Sequence, residues 1–158
     1  MSDRKQLAKA ATNQVTRAVI EGFALRLLQE PQVDCPVRHE FANGLYYREF
    51  SVPRGTFVIG RCHKEESFSV LLKGKARVLI DGLVHNLVAP MILPCSKGLN
   101  KIAVVEEEMV WGSFHANPTN EKDPDKIEDL LLEPEMSIDE VSATLSQEHV
   151  LQLEGAKE

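Results

Sequence analysis

The sequence predicts an all-β barrel with a helix before it and short helices after it. Three observations carry that reading. Between Pro53 and His115, short runs of alternating apolar and polar residues recur at close spacing, the pattern of half-buried strands. Turn signals separate them: Pro53-Arg54-Gly55, Lys73-Gly74-Lys75, Asp81-Gly82 and Ser96-Lys97-Gly98. Two histidines, His63 and His115, fall on an early and a late strand of the series. Seven or so short strands suit a sandwich or barrel and not a βαβ fold.

A chain of 158 residues has material for one core plus appendages. Its 43% hydrophobic and 27% charged residues are ordinary for a globular protein. No apolar run approaches the roughly 18–20 residues that cross a bilayer, and the start, MSDRKQLAKAATNQ, lacks a compact apolar signal core. The expectation is a cytoplasmic protein without a membrane partner. Cys35, Cys62 and Cys95 are odd in number and widely spaced, so neither a disulfide framework nor a zinc knuckle is indicated. Charge is uneven: residues 1–30 carry +2, residues 31–120 carry +1 and residues 121–158 carry −9. A near-neutral middle excludes general nucleic-acid binding, which needs a basic face. The acidic end reads as a solvated or protein-contacting element.

Element by element, residues 4–30 read as a helix, with Leu7, Ala11, Val15, Ala18, Val19, Gly22 and Phe23 on one face and Pro31 as the stop. Its apolar stripe must be buried, on the barrel or against a second copy of the chain. From Pro36 to Phe50 the pattern is weaker, with a strand at Tyr46 to Phe50. Strands follow at Thr56 to His63, Phe68 to Leu72, Ala76 to Ile80 and Leu83 to Val88, with Lys73-Gly74-Lys75 joining the second and third of these and Asp81-Gly82 making a hairpin to the fourth. Pro90 and Pro94 bound a short apolar strand. Lys101 to Val105 and Glu108 to His115 complete the set, with Glu106-Glu107-Glu108 at the bend between them. Asp123-Pro124 caps a helix that Pro134 ends, and Ser137-Ile138-Asp139-Glu140 is a capping box for another. The organisation is therefore an N-terminal helix over 1–31, a barrel over 36–118 and an acidic helical extension over 119–158.

The order P-x-G, G-x-x-H, V-L-L-K-G-x-A-x-V, D-G and P-x-x-x-P resembles the first and second motifs of the cupin superfamily. The run from Pro53 to Glu128, with VWGSFHANPTNEKDPDKIED as its signature, looks like small cupin-like proteins of tailed bacteriophages. The resemblance implies a double-stranded β-helix, a jelly-roll barrel with one open mouth. In metal-binding cupins the first motif supplies two histidines and a glutamate, and the second one more histidine. Aligned on Gly74, Arg61 and His63 stand at the histidine places and Ser67 at the glutamate place. Ser96, Lys97, Gly98, Leu99 and Asn100 stand where the second-motif histidine belongs. One of four ligands is kept.

Period-two geometry groups Phe57, Ile59, Arg61 and His63 on one strand face, and Met109, Trp111, Ser113 and His115 on another. Facing one interior, His63 and His115 can meet across it. Three readings follow. One is a reduced metal site of His63, His115 and a carboxylate, Glu65 or Glu66, for one divalent iron, manganese or zinc ion. A second is a metal-free pocket for a small anionic ligand such as a nucleotide or sugar phosphate. Arg61, Ser67 and Lys101 would line it, with Arg48 as a further candidate, Trp111, Tyr46 or Tyr47 would offer a ring face, and His63 or His115 would serve as an acid or base. The third makes both histidines structural and gives the function to the helix and acidic tail, as in a scaffold, virion or host-interaction protein. For a phage protein, the resemblance further implies sequestering or modifying a host metabolite or defence signal. Flanking apolar elements and open sheet edges point to a homo-oligomer formed through the N-terminal helix. His39, His85 and His149 are expected to be exposed and uninvolved.

Overall fold

The computed structural model describes residues 16–80, 82–98 and 100–155, with side chains described as far as residue 146. It has the expected class: antiparallel β-structure with helices at both ends. The described residues divide into two compact units, one within 32–134 and the other formed by 16–31 with 135–155.

The larger unit holds seven strands: β1 (Val37–Ala42), β2 (Leu45–Val52), β3 (Phe57–Gly60), β4 (Ser67–Ile80), β5 (Leu83–Val88), β6 (Met91–Cys95) and β7 (Lys101–Ala116). Their order is β1-β2-β7-β4-β5, with β3 also on β7 and β6 also on β4, and every pairing is antiparallel. The two long strands form the frame, since each pairs with different neighbours along its two halves.

Two turns expected from the sequence are absent. Lys73-Gly74-Lys75 does not separate two strands; β4 runs through it, and its register against β7 shifts between Leu71 and Ala76. Nor does Glu106-Glu107-Glu108 end a strand, because β7 runs through that too. The physical reason is a bulge. Ser67, Ser69 and Leu71 are buried, and so are Ala76 and Val78, so the buried face moves from odd to even numbers across the irregularity. Gly74 makes this possible with φ +88. Opposite the bulge, Lys73, Lys75 and Arg77 pair with Glu108, Glu107 and Glu106. These pairs are exposed, so they order the strand crossing more than they stabilise it. Strand β1 was not expected; only two of its six residues, His39 and Phe41, are even half-buried, which leaves no apolar alternation to read.

The interior divides along the strands. Val52, Leu71, Ala76, Val78, Leu87, Ala103, Val105, Met109 and Trp111 form one apolar cluster. Beyond it the buried positions turn polar: Ser67, Ser69, Ser113 and His115. Helix α2 (Pro124–Leu131) follows β7, capped by Asp123 as its composition predicts, and buries Ile127.

In the smaller unit, helix α1 is described over residues 16–27 and α3 is Ile138–Gly155; of the helix expected over 4–30, residues 28–30 form a turn instead and residues 4–15 lie outside the described residues. Ser137 and Glu140 form the expected reciprocal cap, at 3.2 and 2.7 Å. Gly22 stands where a Cβ would lie 3.2 Å from Val141, which lets the two helices come close.

A Cβ at position 74 would run into the carbonyl oxygens of Glu107 and Glu108, and φ there is one that side chains resist. Gly74→Ala should therefore destabilise the protein by about 2–4 kcal/mol, measured by urea unfolding.

Candidate functional site

The polar end of the interior is assembled by register. Tyr46 of β2 pairs with His115 of β7, and Arg48 with Ser113; Ser69 of β4 pairs with the same Ser113; Ser67 pairs with Cys95 of β6. His63 lies between strands and is held by its backbone. It bridges Leu132, its carbonyl accepts from Gly98 N–H at 2.8 Å, and its neighbours bond residues 131 and 133 through Lys64 N to Leu131 O and Glu133 N to Cys62 O, both 2.9 Å. The segment that leaves α2 thus sets where this imidazole sits.

The two histidines do meet. Their ring centroids lie 5.1 Å apart, edge to face. Ser67 Oγ lies 3.2 Å from His63 Nδ1, and Tyr46 stacks on His115 at 5.8 Å. Tyr46 also bonds His39 Nδ1 through its hydroxyl at 2.8 Å, so His39 belongs to the row of rings, contrary to expectation. His85 is exposed, as expected. Burial depresses both imidazoles to about 4, helped by the positive charges of Lys101 and Arg48 and, for His115, by His63. Both rings are neutral at neutral pH.

The other predicted residues divide. Lys101 is in the site, its Nζ 2.7 Å from Cys95 Sγ. Arg61 turns instead to the far end of α2, donating to Glu133 O at 3.2 Å and lying 3.7 Å from Glu128. Tyr47 is on the outer face, as the alternation from Tyr46 demands: its ring tilts on Phe114 at 4.6 Å, its hydroxyl donates to Glu49 at 2.6 Å, and it covers Gly112, where a Cβ would collide with it. Trp111, 8% exposed, is packed in the apolar cluster. Neither ring is offered to a ligand. Cys95 and Ser69 are polar neighbours that sequence reading passed over, although the six-residue spacing of Cys95 and Lys101 around a turn was visible.

The set His63, His115 and Glu65 is not assembled as a metal site. Among the described residues no three of His, Cys, Asp and Glu come together to hold an ion, and Glu65 is exposed. One ammonium, Lys101, and one guanidinium, Arg48, acting on the same imidazoles also oppose a divalent cation there. Neither Arg48 nor Lys101 has a carboxylate within ion-pair distance among the described residues. The arrangement suits an anion.

His115 also lines a cleft of about 800 Å³ beside Glu65, Glu66, Lys97, Asn117, Ile127 and Leu130, within the size range of small-ligand sites. The cleft thus carries both signs of charge, with Glu65 and Glu66 beside Lys97.

No protein-family model matches the chain, and no curated protein is similar to it. Solved structures are. A protein with a double-stranded β-helix domain from Klebsiella pneumoniae is 16% identical, covering 58% of this chain and 84% of its own, with a TM-score of 0.48. An RmlC-like cupin family protein from Methanocaldococcus jannaschii is 13% identical over 63% of this chain and 90% of its own, at 0.47. Salicylate 1,2-dioxygenase from Pseudoaminobacter salicylatoxidans, in complex with gentisate, is 14% identical over 65% of this chain, which spans only 31% of that enzyme, at 0.49. These are likenesses of fold and say nothing of activity or ligand; the class rests on the strand order and register above. Among the described residues no helix is long and apolar enough to cross a membrane.

An unfolded imidazole titrates near 6.5 and these two near 4. Between those values the unfolded chain binds protons that the folded one refuses. Stability present above about pH 6.5 is therefore lost as pH falls through 4, by on the order of a few kcal/mol. Urea unfolding at about pH 7 and about pH 4 should show that loss in the parent and a smaller one in the His63→Gln/His115→Gln variant.

Proposed function

We propose that this protein binds a small anion, a phosphate-bearing metabolite, in the polar end of its barrel. One observation carries the reading: Arg48 and Lys101 act together on two neutral imidazoles, His115 buried and His63 half-buried, with no carboxylate paired to either cation among the described residues. Partly buried cations without a counter-charge are costly, and an anion would offset that cost through charge-assisted hydrogen bonds. Ser67, Ser69 and Ser113 supply neutral hydroxyls beside them. A protonated His63 or His115 would add to the binding, because an anion raises the pKa of a neighbouring imidazole. The same coupling makes either ring a proton carrier for a bound phosphate ester.

A sugar phosphate fits better than a nucleotide, since Trp111 is packed away and Tyr47 faces outward, leaving no free ring face for a base. Sequestration or modification of a host metabolite or defence signal by a phage-encoded protein is a use that rests on the resemblance alone. Self-association through the N-terminal helix is a separate proposal. Val19 and Leu28, 54% and 61% exposed, would lie in that contact, and deleting residues 1–30 should turn an oligomer into a monomer in sedimentation velocity. A deletion that leaves the assembly unchanged removes the helix from the interface.

A thermal-shift series with inorganic phosphate, sugar phosphates and nucleotides tests the main reading. A ligand at a hundred times its Kd adds about 2.7 kcal/mol. Arg48→Met and Lys101→Met should each weaken binding by about tenfold or more, and NMR titration should show both imidazole pKa values rising with ligand. Phosphates that shift neither stability nor the imidazole signals would rule the site out.

A further inference from the structure

Cys95 and Lys101 hold a geometry that anion binding does not require. Cys95 ends β6 and is 4% exposed. Its sulfur has Lys101 Nζ at 2.7 Å, Ser69 Oγ at 3.0 Å and Leu93 O at 3.6 Å. An N–H···O bond spans about 2.9–3.0 Å, and sulfur's larger radius sets an ordinary N···S contact further apart still. Lys101 Nζ thus donates to Cys95 Sγ across a short contact, about the span of two single bonds meeting at an angle on one shared atom. Strand pairing fixes both ends: Ser67↔Cys95 on β4 and Gly60↔Lys101 on β3. Lys101 has no carboxylate paired to it among the described residues, so nothing draws its nitrogen away.

We propose that Cys95 and Lys101 are a redox modification site that dioxygen converts to an oxygen-bridged Sγ–O–Nζ crosslink, and that the crosslink disarms the anion site. In the reaction the S–H bond and one N–H bond break, and S–O and O–N bonds form. One oxygen atom of dioxygen stays in the bridge and the other leaves as water with the two hydrogens. Sulfur and nitrogen are each oxidised by two electrons, and dioxygen accepts four. Two equivalents of a dithiol return the thiol, the amine and one water. The bridged nitrogen carries an oxygen that withdraws electron density, so it stays uncharged at neutral pH. One of the two cations facing His63 and His115 is thereby lost. This consequence rests on the anion-site reading; the crosslink itself does not.

The full chain is compared after dithiothreitol and after exposure to dioxygen. Whole-protein mass should rise by one oxygen less two hydrogens. Trypsin cuts after Lys97, between the two residues, so the oxidised form should yield the peptide ending at Lys97 joined to the one containing an uncut Lys101, and dithiothreitol should separate them. Cys95→Ser and Lys101→Arg should each abolish the joined pair, with urea unfolding confirming that both variants fold. Loss of two hydrogens without added oxygen, or an added oxygen that forms no joined peptides, overturns the crosslink. Inorganic phosphate should bind the oxidised protein about tenfold more weakly or worse, with recovery on reduction. Equal phosphate affinity before and after oxidation overturns the switch. Joined peptides from a protein that binds no phosphate even when reduced overturn the anion site and leave the crosslink standing.

Discussion

The pairing of β4 with β7, and the phase change that Gly74 allows in the middle of it, decides what every other part of this fold can do. A strand has only two faces, so a single extra residue exchanges them. Without the irregularity, either Ser67, Ser69 and Leu71 or Ala76 and Val78 would face inward, never both sets. With it, one strand contributes hydroxyls to the polar end and aliphatic side chains to the apolar end. The exposed charge pairs of Glu106, Glu107 and Glu108 lie over the same crossing, where the ladder is least regular.

That division gives the polar end its electrostatic character. Apolar packing at Trp111 and Leu71 closes one side of it and lowers the dielectric, which is why desolvation is the first cause of the shift at both imidazoles. Arg48 and Lys101 then reinforce a neutrality that burial has already imposed. The result is a pair of uncharged rings beside two cations that have no carboxylate partner among the described residues, the reverse of a metal centre, where the protein supplies negative charge to a positive guest.

The strand pattern made the fold legible, and it placed His63 and His115 on faces that do converge. Ser67, also picked out from the sequence, lies 3.2 Å from His63. Where it went astray, the cause was geometric. Arg61 shares the alternation of His63, but the backbone beyond Gly60 leaves the strand and period two no longer governs where its side chain goes. Tyr46 and Tyr47 are adjacent, so one must be inside and the other outside, and only register against His115 reveals which. The glycine at 74 looked like a turn because a positive φ serves hairpins and bulges equally. Cys95 was considered only for disulfides and zinc, and its amine partner, six residues away around a turn, was not connected with it.

The segment from Leu131 to Glu133 adds a short rung to the backbone at Cys62 and Lys64, after the last strand has ended. The polypeptide therefore completes the polar end of the interior with residues that come later than the strands. A fragment trimmed at the end of β7 would keep every strand and still lose the anchor of one imidazole.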